Sequence, residues 1–189
     1  DGTNTNPYRL EDTSEIHIGS YLFYSNFLWK VVAISDNSYQ LILHKPLTLD
    51  DKDSFVFSNS YNKFLPSEEG TLAYYLNHDF YDILDKTYIL ESTWYTGEYI
   101  EKTGFDYTNI YSDSILAHVG LLHVGSMYVD DTYMITPASV GGVYASKNGV
   151  LAVLPINESF TVKPSIFIEK DITLDGSGTL EDPYMIQDR

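Results

Sequence analysis

The sequence predicts an α+β fold, mainly antiparallel β-sheet with one or two short helices around residues 68–86. Three observations carry this. Runs of β-branched and aromatic residues recur between turn residues along most of the chain. Two dipeptides, Ser25-Asn26 and Asn148-Gly149, stand as turn residues between such runs, and Asn148-Gly149 is the strongest short hairpin signal in the chain. A single stretch has apolar residues at helical spacing.

The elements follow in order. Ile16-His17-Ile18 and Tyr21-Leu22-Phe23-Tyr24 read as strands, and Ser25-Asn26 turns into a further strand from Phe27 to Ile34. Trp29 in that strand is assigned to the core. Asp36-Asn37-Ser38 turns again into Tyr39 to His44, which completes an opening meander. Residues 50–60 are polar and acidic. Pro66-Ser67 offers a helix start before Glu68 and Glu69, whose charges suit the positive end of a helix. Leu72, Leu76, Phe80, Ile83 and Leu84 continue it, interrupted at Asn77-His78, so one broken helix or two short ones are expected. Ile89 to Thr96, with Trp94-Tyr95, precedes a Gly97 turn and a loop at residues 103–113, and Ser114 to Val124 reads as one buried strand. Four closing strands contain Tyr133 to Thr136, Gly142 to Ala145, Val150 to Pro155 and Thr161 to Ile168.

The length of 189 residues suits one compact core, which a chain of this size builds without disulfides or a structural metal. Cysteine is absent, which excludes a thiol nucleophile, a disulfide framework and any Cys-ligated zinc or iron–sulfur cluster. Eleven Lys and Arg against 27 Asp and Glu leave a net charge of −16, a field that repels phosphate backbones and anionic membranes. No nucleic-acid partner and no membrane insertion are expected, since the longest apolar runs fall far short of the roughly 18 residues of a membrane helix. The opening Asp1-Gly2-Thr3, without an initiating Met or an apolar leader, reads as that of a processed or excised chain.

The two ends repeat one another. Gly2-Thr3-Asn4-Thr5-Asn6-Pro7-Tyr8-Arg9-Leu10 and Gly178-Thr179-Leu180-Glu181-Asp182-Pro183-Tyr184-Met185-Ile186 share G-T-x-x-x-P-Y-x-[LI]. Each is a glycine turn, a polar loop and a Pro-Tyr step into extended backbone. The expectation is a tandem array: residues 1–12 as the tail of a preceding module or an N-terminal edge strand, 13–170 as the domain and 171–189 as the closing segment.

Reactive chemistry finds little purchase. His118 and His123 are five apart, which on a strand puts them on opposite faces, and His17, His44 and His78 are isolated. Asp50, Asp51 and Asp53, the pair Asp130-Asp131, and Asp171, Asp175, Glu181 and Asp182 lack calcium-loop spacing. No serine sits in a G-x-S-x-G elbow, and no glycine loop cradles a phosphate. No catalytic residue, metal or cofactor is therefore assigned. Recognition is better served, because 17 Tyr supply stiff contact area with a polar tip. Segments 94–99, 128–133 and 144–148 mix aromatics with Asn, Asp, Ser and Gly. The candidate ligand-binding residues are Trp94, Tyr95, Tyr128, Asp130, Asp131, Tyr133, Tyr144 and Asn148, with core capping as the other reading of Trp94.

Phe27-Leu28-Trp29-Lys30-Val31-Val32, Leu72-Ala73-Tyr74-Tyr75-Leu76-Asn77 with Phe80-Tyr81, Val119-Gly120-Leu121-Leu122, Ile135-Thr136-Pro137-Ala138-Ser139, Gly149 and Val162-Lys163-Pro164-Ser165-Ile166 occur in an order that resembles an uncharacterised bacterial surface or pilus-associated domain family. Its members have the C-type-lectin-like fold of formylglycine-generating enzymes. Lys163 stands where that family has Arg, and the enzyme branch relies on cysteine that this chain lacks. The resemblance implies a noncatalytic extracellular adhesive or ligand-binding module on the bacterial surface or pilus. Its partners would be a glycan or protein receptor on a host or neighbouring cell, and neighbouring copies of the module. The alternatives are a structural repeat or filament subunit joined through its terminal segments and, second, a carbohydrate-active enzyme.

Overall fold

The computed structural model describes residues 16–100, 107–109, 111–126, 130–138 and 141–187. Strand makes up 41% of it and helix 7%, so the body is sheet and the helical part is one short insert. In chain order the strands are β1 (Tyr21–Tyr24), β2 (Phe27–Ile34), β3 (Ser38–Leu43) and β4 (Phe55–Val56). The helix α1 (Leu72–Tyr75) follows, then β5 (Ile89–Leu90), β6 (Ser92–Tyr95), β7 (Glu98–Ile100), β8 (Tyr107–Asn109), β9 (Ser114–Ala117) and β10 (Val119–Gly120). The last third holds β11 (Thr132–Pro137), β12 (Val143–Lys147), β13 (Val150–Leu154), β14 (Ser159–Phe160), β15 (Ser165–Glu169), β16 (Leu174–Asp175) and β17 (Tyr184–Ile186).

The main sheet runs β10-β15-β3-β2-β1-β17-β16, with β5 also paired to β15. All of its pairs are antiparallel except β1 with β17. Its opening meander has the predicted turn: Ser25 and Asn26 lie at φ 53° and 64°, the left-handed geometry whose twist matches that of the flanking strands. No strand forms at Ile16-His17-Ile18, where the Ser20 amide donates to the His17 carbonyl in a turn. The segment after residue 170, set apart in the sequence, joins the main sheet through β16 and β17. Smaller sheets are β11-β12-β13, β14-β4, β6-β9 and β7-β8.

The helix starts later than Pro66-Ser67. Gly70, at φ +78°, completes a turn, and Thr71 is the cap, its hydroxyl accepting from the Tyr74 amide at 3.1 Å. After one turn α1 widens into a π-helical turn at Leu76–Phe80, where the sequence places its Asn77-His78 break. Asn77 is the physical reason. Its amide donates to the carbonyls of Ala73 and Val119 at 2.9 and 2.8 Å, and its carbonyl accepts from the amides of His118 and Val119 at 3.1 and 3.0 Å. One side chain thus ties the helix to the sheet and splits the expected strand over Ser114 to Val124 into β9 and β10.

The core is continuous from Ile16 to Tyr184. Trp29 is fully buried, donates its indole N–H to the Tyr24 carbonyl at 3.1 Å and packs on Phe27 and Phe80. Phe55, Phe57, Phe64 and Tyr133 carry this packing towards the second half.

Candidate functional site

The structure sorts the sequence candidates by side-chain direction. Along β6 neighbouring residues point to opposite faces. Trp94 goes inward, where its N–H donates to the Ala117 carbonyl at 3.0 Å and its ring packs on Phe167, centroids 4.8 Å apart. Gly120 lies directly over that ring, and a Cβ there would come within 2.3 Å of it. Tyr133 is also fully buried, its hydroxyl donating to the Glu158 carbonyl and its ring set edge-on to Phe57 and Phe160. Burial, reinforced by the nearby Glu158 charge, pushes its phenol up to about 12. Tyr144 belongs to a satellite cluster with Met134, Ala138 and Val124. Three of the aromatic candidates are therefore parts of the core.

The polar candidates brace the second half. Asp130 pairs with the Lys163 ammonium at 2.5 Å, and Lys163 itself is only 2% exposed. The Asp131 carboxylate accepts from the Asn148 amide at 2.6 Å, and its carbonyl accepts from the Thr161 hydroxyl at 2.9 Å. Asn148 and Gly149, at φ 53° and 74°, form the predicted tight turn between β12 and β13. Tyr128 lies outside the described residues. Among the described residues the three loops thus do not present one joint aromatic patch.

Among the described residues Tyr95 is the aromatic candidate left on the surface. It meets Tyr111 edge to face, ring centroids 4.7 Å apart at 86°, and both are exposed. Pairing of Thr93 with Leu116 and Tyr95 with Ser114 across β6 and β9 puts exposed Leu116 on the same outer face. Immediately along the chain from both tyrosines lies an open groove of about 440 Å³, lined by Asn62, Lys63, Thr96 to Glu98, Ser112, Asp113, Pro137 and Ala138. Its walls are fixed: the Thr96 amide donates to the Asp113 carbonyl at 3.0 Å, the Thr136 hydroxyl donates to the Thr96 carbonyl, and Asn62 donates to the Ala138 carbonyl at 3.0 Å. Lys63 and Asp113 face each other at 3.7 Å, both well exposed. The groove therefore offers an ammonium, carboxylates, an amide and a hydroxyl beside two aromatic rings.

Tyr111, Asn62 and Lys63 escape sequence reasoning for different reasons. Tyr111-Ser112-Asp113-Ser114 has the aromatic-with-polar mixture that singles out the other loops, so a signal was present. Asn62 and Lys63 arrive from a remote loop with no local mark.

A second groove, of about 610 Å³, lies between β4 and α1 and includes Lys52, Phe55, Tyr74, Tyr75, Glu69 and Asp79. Its aromatic wall already holds a cation: the Lys52 ammonium sits 4.6 Å from the Phe55 centroid and 5.2 Å from that of Tyr75. Among the described residues no three His, Asp or Glu converge to hold a metal. His118 instead stacks on Tyr81 at 4.3 Å, and His123 accepts from the Gly125 amide at 2.9 Å, its desolvated ring held below the ordinary histidine pKa. No helix among the described residues is long and apolar enough to cross a membrane. Comparison with protein-family models, with curated proteins and with solved structures finds no match to this chain.

Proposed function

We propose that this chain is a noncatalytic extracellular adhesive or ligand-binding module of a bacterial surface or pilus-associated protein, with a C-type-lectin-like fold. Its recognition face is the Tyr95–Tyr111 pair and the adjoining groove. The observation that carries the reading is that pair itself: two large rings held edge to face in solvent, beside polar groups anchored by backbone hydrogen bonds. Exposed rings next to Asn62, Ser112 and Asp113 suit a hydroxyl-rich ligand, which stacks its apolar face and hydrogen-bonds its edge. The mostly β body with one short helix is consistent with the lectin-like architecture, and the net charge of −16 disfavours anionic partners.

A glycan array and a hydrolysis assay on one preparation test this. Binding without turnover is expected, falling at least about tenfold (~1.4 kcal/mol) in the Tyr95→Ala, Tyr111→Ala double variant. Turnover of any sugar or peptide, or binding indifferent to both substitutions, overturns the reading.

A further inference from the structure

The closing segment works as a strand clasp on the main sheet. β17 adds to β1 in parallel, pairing Tyr184 with Leu22 and Met185 with Phe23, and turns back on β16 through Ile186 with Leu174. The Tyr21 amide donates to the Gly178 carbonyl at 2.8 Å. Gly178 sits at φ +71° against the Tyr184 ring, where a Cβ would come within 2.3 Å, so the seated tyrosine requires a glycine there. Thr179 closes the loop between them: its amide donates to the Asp182 carbonyl at 3.2 Å and its hydroxyl accepts from the Asp182 amide at 3.1 Å. Tyr184 is 6% exposed and belongs to the core.

These roles explain which positions the two ends of the chain share. Gly2, Thr3, Pro7 and Tyr8 repeat Gly178, Thr179, Pro183 and Tyr184, and Leu10 keeps the apolar character of half-buried Ile186. The positions that differ are those whose side chains do little in the clasp. Leu180, Glu181 and Met185 are exposed, and Asp182 bonds to Thr179 through its backbone. At those positions the opening of the chain carries Asn4, Thr5, Asn6 and Arg9.

Each β1 has one such edge, since its other side is taken by β2, and in this chain residues 184–186 occupy it. We propose that residues 2–10 are a second strand clasp whose seat is the β1 edge of another module of this kind, and that a second copy of this chain offers that seat once its own clasp is released. Parallel strand addition supplies the main-chain hydrogen bonds, and the tyrosine socket supplies selectivity. The contact is heterologous, residues 2–10 of one copy on the β1 edge of another, so it links copies into open chains or closed rings. In the intact molecule the resident clasp wins through its high effective concentration. None of this depends on what the Tyr95–Tyr111 face binds.

Two arms test it on the full chain. In the first, Leu180→Asn, Glu181→Thr, Asp182→Asn, Met185→Arg and Ile186→Leu make the closing segment read as residues 2–10. The melting temperature is expected within about 3 °C of the parent, while Tyr184→Ala lowers it by about 8 °C or more. A rewritten chain that melts as low as Tyr184→Ala overturns the proposal, and this arm stands even if Tyr184→Ala does not fold. In the second arm Arg9→Cys and Phe23→Cys are placed in the Tyr184→Ala background and oxidised. Because Phe23 and Met185 are exposed register partners, Phe23→Cys with Met185→Cys in the parent is the control that closes within one chain. Disulfide-linked dimers or larger species that disappear on adding Tyr8→Ala support exchange; absence of linked species, or their persistence with Tyr8→Ala, overturns it.

Discussion

The hairpins β1–β2 and β12–β13 use the same local device and meet opposite fates. Each turns through two residues in left-handed backbone, Ser25-Asn26 in one and Asn148-Gly149 in the other. The first is flanked by β3 on one side and β17 on the other, and Phe80 of the π-helical turn covers it, so Trp29 and Val31 are fully buried. In the second, β12 is buried through Val143 and Ala145, but β13 has a strand partner on one side alone among the described residues, and Val150, Leu151 and Val153 stay exposed. Turn chemistry sets the register of a hairpin. Its contribution to stability comes from what later segments lay against it.

The largest test of that difference is Trp29→Ala. Removing a fully buried indole and its hydrogen bond to Tyr24 is expected to cost about 3–5 kcal/mol in urea denaturation.

An alkaline titration probes both regions together. Tyr24 closes β1, and burial with the Asp85 charge pushes its phenol up to about 12; Tyr133, on β11 beside β12, reaches about 12 through burial and Glu158. Below about pH 10 both phenols are protonated in folded and unfolded chains alike, so they add no pH dependence. Between about pH 10 and 12 the unfolded phenols ionise while the folded ones hold their protons. Stability then falls by up to about 1.4 kcal/mol per pH unit for each tyrosine. Tyr24→Phe and Tyr133→Phe should each remove one share of that slope in urea midpoints measured across the window, and an unchanged slope in either variant would exclude its phenol.

Asp130→Asn breaks the partner of a nearly buried ammonium in the second region. Because water reaches Asp130, the expected loss is about 1–3 kcal/mol, below that for a fully buried pair. Lys163→Met in the same background should recover part of it, since the nearly buried charge is then removed; this is read by the same urea midpoints. The smallest effect belongs to the exposed edge, where Leu151→Thr with Val153→Thr should leave unfolding within about 0.5 kcal/mol of the parent. A loss near that of Trp29→Ala would mean that β13 is covered in the native state.

The meander, both tight turns and the interrupted helix were legible in the sequence because each depends on residues within a few positions: turn pairs, strand alternation and an Asn-His break. The helix start was misplaced because Pro66-Ser67 and Thr71 are both acceptable caps, and only Gly70 and the Tyr74 amide choose between them. Of the candidate site, Tyr95 emerged on the surface while its neighbour Trp94 went inside, as alternation along a strand requires of one of the two.

By itself, then, the sequence determined a cysteine-free, acidic, β-rich chain with its turns in place and a repeated closing motif. Tertiary structure alone decided which tyrosines face solvent, that Lys163 meets Asp130, that Asn77 divides a strand, and that Tyr111, Asn62 and Lys63 join Tyr95 around one groove. The physical reason is range. Backbone preference and alternation act over a few residues, whereas burial depends on segments tens of residues away arriving on one particular face.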